Sequence, residues 1–297
     1  MTDHWDKAVL AIVDGDLELL ERLLADKPEL VHARSPAPHA PALLHYSAAN
    51  GVEDELQRTP PNAPSIAEAL LKAGAPPDPL SKAYGGGRNA TPMCLLVSSW
   101  HPFERGVQSE LVGVLARGGA AIDGLDNDGA PLATALTFGS TRAAEALVQC
   151  GARVDNILFA AGLGQVDAVR RWLEPSGGLS AAAIGSYAPV FLGITIEGPE
   201  AIRQQALHFA VAHGQTEVAA MLLAAGADAG AESLGHHARL PLLQCLFTHK
   251  DWMVDLLLEH GANPHAVDGK LKCSAADYAA RTDRPEISER LRHAGGA

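Results

Sequence analysis

The stretch "ALHFAVAHGQTEVAAMLLAAGADA" at 206–229 reads as a short helix, a glycine turn, a second helix and a closing glycine. The same outline returns 35 residues later as "PLLQCLFTHKDWMVDLLLEHGANP". In the first copy Val218, Met221, Leu222 and Ala225 recur at three- and four-residue intervals, the signature of an apolar helix stripe. A hairpin of two helices encloses nothing, so that stripe must be covered by the next copy. A chain written this way is committed to stacking.

The glycine that follows each second helix serves as a ruler. It falls at Gly74, Gly119, Gly151, Gly226, Gly261 and Gly295, with gaps of 45, 32, 75, 35 and 34 residues. The gap of 75 holds one further, degenerate copy, "NILFAAGLGQVDAVRRWL", with Ser176 in the glycine's place. An opening copy, "WDKAVLAIVDGDLELLERLLADKPEL", turns at Gly15. Eight copies result, at about 3–34, 41–75, 90–120, 130–152, 155–175, 204–227, 239–262 and 273–297, in one array over the 297 residues. Only 5% of residues are aromatic, while Ala, Leu and Gly abound, so the fold class expected is all-α.

The wording of these copies resembles the ankyrin repeat, T-P-L-H-x-A-A-x-x-G-H followed by a helix ending L-L-x-x-G-A-D. The residues that carry the likeness are Leu44-His45-Tyr46-Ser47-Ala48 before Gly51, Thr91-Pro92-Met93, Ala130-Pro131-Leu132 and Ala206-Leu207-His208-Phe209-Ala210 before Gly214, with the recurring Gly-Ala pairs. As a whole the chain looks like a bacterial ankyrin family with an expanded second repeat. The resemblance implies a solenoid whose first helices and finger loops line a concave binding face. On the first helices that face would include Tyr46, Phe138, Phe159, Phe209, His213, Gln244, Tyr278 and Thr248, with Asn50, Leu95, Ser99, Thr134 and Leu163 at matching positions. On the fingers it would include Asp126, Asn127 and Asp128, then His236, His237 and Arg239, then Asp268, Lys270 and Lys272. It also implies that His45 and His208 are structural, hydrogen-bonding between repeats.

Three inserts depart from the pattern, at 52–64, 76–90 and 174–204. The first is rich in Pro and charge. The second holds Gly85, Gly86 and Gly87, a run that permits unusual backbone angles; no Lys follows it in phosphate-loop spacing, so it reads as a loop. The third contains "PVFLGITI", too apolar to stand in water, and reads as a packed lid or bridge, with a loosely attached excursion as the alternative. Trp100, within "SSWHPFERGVQ", stands where the turn glycine is usual and belongs with the binding residues.

The formal net charge of -12 repels phosphate backbones, and no basic run interrupts it, which argues against nucleic acid. A protein or peptide partner, basic or neutral, fits better. No segment reaches the roughly 20 apolar residues that span a bilayer, and "MTDHWDKAVL" has acidic residues where a signal peptide carries basic ones, so the cytoplasm is the expected location. Cys94, Cys150, Cys245 and Cys273 stand singly and read as small buried apolar residues. No H-x-x-x-H or H-E-x-x-H pattern and no G-x-S-x-G elbow occurs, so neither a metal, a cofactor nor a catalytic nucleophile is expected. The competing reading is a small-molecule site or an enzyme, with residues 76–108 and 174–204 closing over the groove and Tyr187, Glu197 and Glu200 near His208 and His213. A third reading is an assembly scaffold, which the polar closing copy "SAADYAARTDRPEISERLRHAGGA" opposes.

Overall fold

The computed structural model describes residues 2–174, 178–180, 190–191, 194–196, 198–234 and 239–294. The chain divides into two compact halves, Met1–Arg153 and Val154–Ala297. Among the described residues the regular structure is helical, apart from an antiparallel pairing of Val190–Phe191 with Ile194–Thr195 and an isolated bridge between Leu173 and Leu179.

In the N-terminal half the helices are α1 (Thr2–Asp14), α2 (Leu17–Asp26), α3 (Leu43–Tyr46), α4 (Ala63–Lys72), α5 (Pro92–Val97), α6 (Trp100–Glu104), α7 (Gln108–Arg117), α8 (Ala130–Thr137) and α9 (Thr141–Gln149). They pack as two layers. The first helices α1, α3, α5 and α8 each touch the next in that order, and so do the second helices α2, α4, α7 and α9. Each stripe read from the sequence is thereby covered by its neighbour: Leu20, Ile66, Leu70, Leu111, Leu115 and Leu147 are all buried. Burial of one such side chain contributes about 1.5–3 kcal/mol, so the stacking surface outweighs what any isolated hairpin could supply.

The C-terminal half repeats the scheme with α10 (Ile157–Gly162), α11 (Val166–Trp172), α12 (Gly198–His213), α13 (Thr216–Ala224), α14 (Pro241–Phe247), α15 (Val254–Glu259), α16 (Ala275–Arg281) and α17 (Pro285–His293). Here α10, α12, α14 and α16 form the first layer, and α11 packs on α13 in the second.

A latch recurs between neighbouring pairs. The residue that caps the start of a second helix donates back to the turn, or to the end of the first helix, of the preceding pair: Asn62 Nδ2 to Gly15 O at 2.8 Å, Gln215 Nε2 to Gly162 O at 3.2 Å, and Arg284 Nη1 to Leu246 O at 2.8 Å. Trp252 performs the same service by packing. At Gly214 the backbone is left-handed, with φ of +71°, and an added Cβ would lie 2.7 Å from Trp252 Cζ2. Glycine is therefore required there twice, for its angle and for its emptiness.

The structure revises several expectations. The third insert ends before Gly198, because residues 198–204 extend α12 to 16 residues; Pro199 fits its first turn, where no intrahelical N–H partner is lost, and Ile202 and Gln205 are buried. The first insert likewise ends at α4, which takes up Ala63 and Pro64. In the third copy the expected turn at Trp100 is replaced by α6, and Gly106, with φ of +77°, makes the left-handed turn instead. Cys150, read as buried, is exposed at the end of α9, while Cys94, Cys245 and Cys273 are buried as read. Asp268, read as a finger residue, is wholly buried and accepts hydrogen bonds from the backbone N–H groups of Leu240, Lys270 and Leu271. The glycine run does take unusual angles: Tyr84, Gly85, Gly86 and Gly87 all have positive φ, and the four-residue excursion pushes Tyr84 into solvent.

Candidate interaction surface

The exposed rings of the N-terminal half gather at the ends of its first helices. Phe138 caps the end of α8 and is 45% exposed. Two residues beyond Ser98, the cap of α5, Trp100 opens α6 and is 63% exposed, with Phe103 one turn on and the ring centroids 5.5 Å apart. Tyr84 reaches the same end from its loop: its hydroxyl donates to Asn50 Oδ1 at 2.5 Å, and Asn50 Nδ2 donates to Ser98 Oγ at 2.9 Å. Burial and the charge of Asp54 hold the Tyr84 phenol above its ordinary pKa, which places that carboxylate within electrostatic reach of the hydroxyl.

In the C-terminal half the equivalent end is built differently. Phe247, the last residue of α14, is 43% exposed, but the Arg239 guanidinium lies 3.7 Å over its ring. Tyr278 of α16 flanks the pair, 6.4 Å from Phe247. Arg239 Nη1 donates to Gln244 Oε1 at 3.3 Å. Partial burial lowers the Arg239 pKa, an effect the nearby Asp268 charge opposes. Lys250 stands 5.3 Å over Trp252 in the same manner.

Burial disfavours the charged form of two histidines, His45 and His208. His45 accepts from Ala42 N at Nδ1 (3.0 Å) and donates from Nε2 to Ala90 O (3.2 Å), just ahead of α5, so it bridges two copies as the resemblance implied. Burial pushes its pKa down to about 4, and burial with the Arg239 charge pushes that of His208 to about 3.

The residues expected on the binding face thus divide. Trp100 and Phe138 are exposed, Arg239 and Thr248 are partly so, and Arg239 and Gln244 are brought into contact. Tyr46, Phe159, Phe209, His213 and Gln244 are buried. His213 shares the register of the exposed Phe138 and is buried all the same. For Tyr46, Phe159, Phe209 and Gln244 the physical reason is register: the position after the T-P-L-H segment points toward the second helix and adjacent copies, not outward. Tyr46 illustrates it, with its ring edge-on to Trp5 and its hydroxyl donating to Glu53 Oε2 at 2.9 Å, beneath the first insert. Burial holds that phenol well above its ordinary pKa. His236 and His237 lie outside the described residues, as do Tyr187 and Glu197 of the enzyme reading; Glu200 is exposed in the first turn of α12. Sequence reasoning passed over Phe247, Phe103 and Tyr84. Their signal was there in the same place as that of Phe138, an aromatic at or just beyond the last turn of a first helix, or in the glycine-rich loop beside it.

Residues 204–233, comprising most of α12, all of α13 and the finger after it, match the family model described as "Ankyrin repeat". The chain thus contains an ankyrin repeat. Helix pairs with left-handed turns between their members recur within each half. The human ASB11 ankyrin repeat domain, a solved structure, is similar at a TM-score of 0.46 and 18% identity, with 98% of each chain covered. No curated protein matches the chain. Among the described residues no helix is long and apolar enough to cross a membrane, and no three His, Cys, Asp or Glu side chains converge as a metal site would require.

Proposed function

We propose that the chain is a non-catalytic binding module that takes a protein or peptide partner, in each half, against the ends of the first helices. One observation carries the reading: Trp100, Phe138 and Phe247 stand at or within three residues of the ends of α5, α8 and α14, each exposed by 43% or more. Single exposed rings are ordinary on protein surfaces. Recurrence within a few positions of the end of three first helices is not, because the apolar area left wet at each ring is recovered only by a partner that covers it. A rigid helical support adds little ordering cost on binding. In the C-terminal half the buried Gln244 then serves as the backing that holds Arg239 over Phe247.

The test is covalent capture. A photoreactive phenylalanine analogue at position 138 or 247 should form an adduct with the physiological partner in cells, while the same analogue at Glu145 or Glu217, exposed on second helices, should not. Capture from the second-helix positions alone would overturn the reading.

A further inference from the structure

The two halves treat their exposed rings in opposite ways. Phe247 and Trp252 are each overlain by a cation of the chain itself, Arg239 and Lys250. Among the described residues, no cation lies over Tyr84, Trp100 or Phe103. The basic side chains nearby are turned elsewhere: Arg105 Nε donates to Thr59 O at 3.1 Å, Arg88 pairs with Asp126 and donates to Leu125 O, Arg58 pairs with Asp14 at 2.6 Å, and Lys82 is exposed but covers no ring. Carboxylates remain close. Glu104 follows Trp100 by four residues on α6 and Phe103 by one, so it shares the helix face of the indole, and Asp54 acts electrostatically on Tyr84.

Resting on the module reading above, we propose that the Tyr84, Trp100 and Phe103 surface, with Glu104 and Asp54 at its margin, receives an arginine or lysine side chain from a basic segment of the partner. A ring face attracts a cation through its quadrupole, indole most strongly, and a flanking carboxylate adds charge complementarity. The C-terminal half displays the satisfied form of this contact with an internal arginine; the N-terminal half leaves the cation's place open. The overall charge of -12 draws basic segments toward the molecule but selects no point on it. Selection falls to the rings.

The probe is fluorescein-labelled acetyl-hexaarginine amide, followed by anisotropy at about 0.1 M salt, where the screening length is about 10 Å. Trp100→Leu should weaken binding about fivefold or more, since it keeps apolar bulk and loses the π face, and Trp100→Phe should recover most of the loss. Neither change alters net charge. Trp252→Leu should bind as the parent does. Equal binding by Trp100→Leu and the parent, equal losses at positions 100 and 252, or tighter binding of a hexaglutamate peptide would each overturn the proposal. Circular dichroism of each variant guards against lost fold, and Trp100→Phe keeps the test decisive if the leucine variant unfolds. Capture of a partner at positions 138 and 247 without any preference for hexaarginine sinks this inference alone; absence of capture sinks the reading beneath it.

Discussion

Trp100 and Phe247 occupy comparable places at the ends of first helices, yet one is bare and the other wears a guanidinium at 3.7 Å. The difference teaches that a repeat fixes where a side chain stands but not what it is free to do. In the C-terminal half, Arg239 is anchored by Gln244 and lies near the buried Asp268, so its fork is held over the ring. In the N-terminal half, the corresponding basic residues are drawn into inserts and fingers, as Arg105 is by Thr59 and Arg88 by Asp126. Insert chemistry has thus changed the surface without touching the stack.

The comparison can be broken most severely by attacking a latch. Gly214→Val places a branched side chain at positive φ and against Trp252, and should destabilise the protein by about 3 kcal/mol or more, read as a lower urea midpoint. Gly151→Ala supplies the measure of angle alone: its φ is +102° but an added Cβ meets nothing within 4 Å, so a loss of about 1–2 kcal/mol is expected.

Acid should weaken both halves through their buried histidines. His45 titrates near 4 and His208 near 3 when folded, against 6.5 unfolded, so the unfolded chain binds more protons below that value. Stability is therefore complete above about pH 6.5 and lost as pH falls toward 4, with a slope approaching 1.4 kcal/mol per pH unit for each histidine. His45→Gln should flatten the slope by about half between pH 6 and 4.5; an unchanged slope would contradict the assignment.

A smaller effect sharpens the contrast directly. Arg239→Gln uncovers Phe247 and should cost about 1 kcal/mol in stability, while raising hexaarginine affinity about twofold to threefold as the C-terminal half gains an open ring. Smallest of all, Lys7→Ala removes an exposed pair with Asp3 remote from either surface and should shift the midpoint by less than about 0.5 kcal/mol with no effect on binding.

Much of the fold was legible because stacking leaves a periodic trace. The spacing of Gly74, Gly119, Gly151, Gly226 and Gly261 marks helix ends that all prove left-handed, and the apolar stripes between them are buried. The surface was less legible. Tyr46, Phe159 and Phe209 look the same in sequence as Phe138 and Phe247, being aromatics on first helices, and a shift of a few positions decides whether such a ring faces the neighbouring copy or water. The insert at 174–204 misled for a related reason: "GPEAIRQ" carries no repeat signature, and only its continuity with the buried face of α12 makes it helix.

What the sequence determined by itself is the repetition, and with it the helix pairs, their turns and the need to stack, since those follow from local periodicity and from glycine's backbone freedom. What only the tertiary structure decided is which rings remain exposed and which are already matched by a cation. That depends on side chains 8 to more than 30 residues apart, Arg239 with Phe247 and Tyr84 with Asn50, meeting in space, and no local pattern records such a meeting.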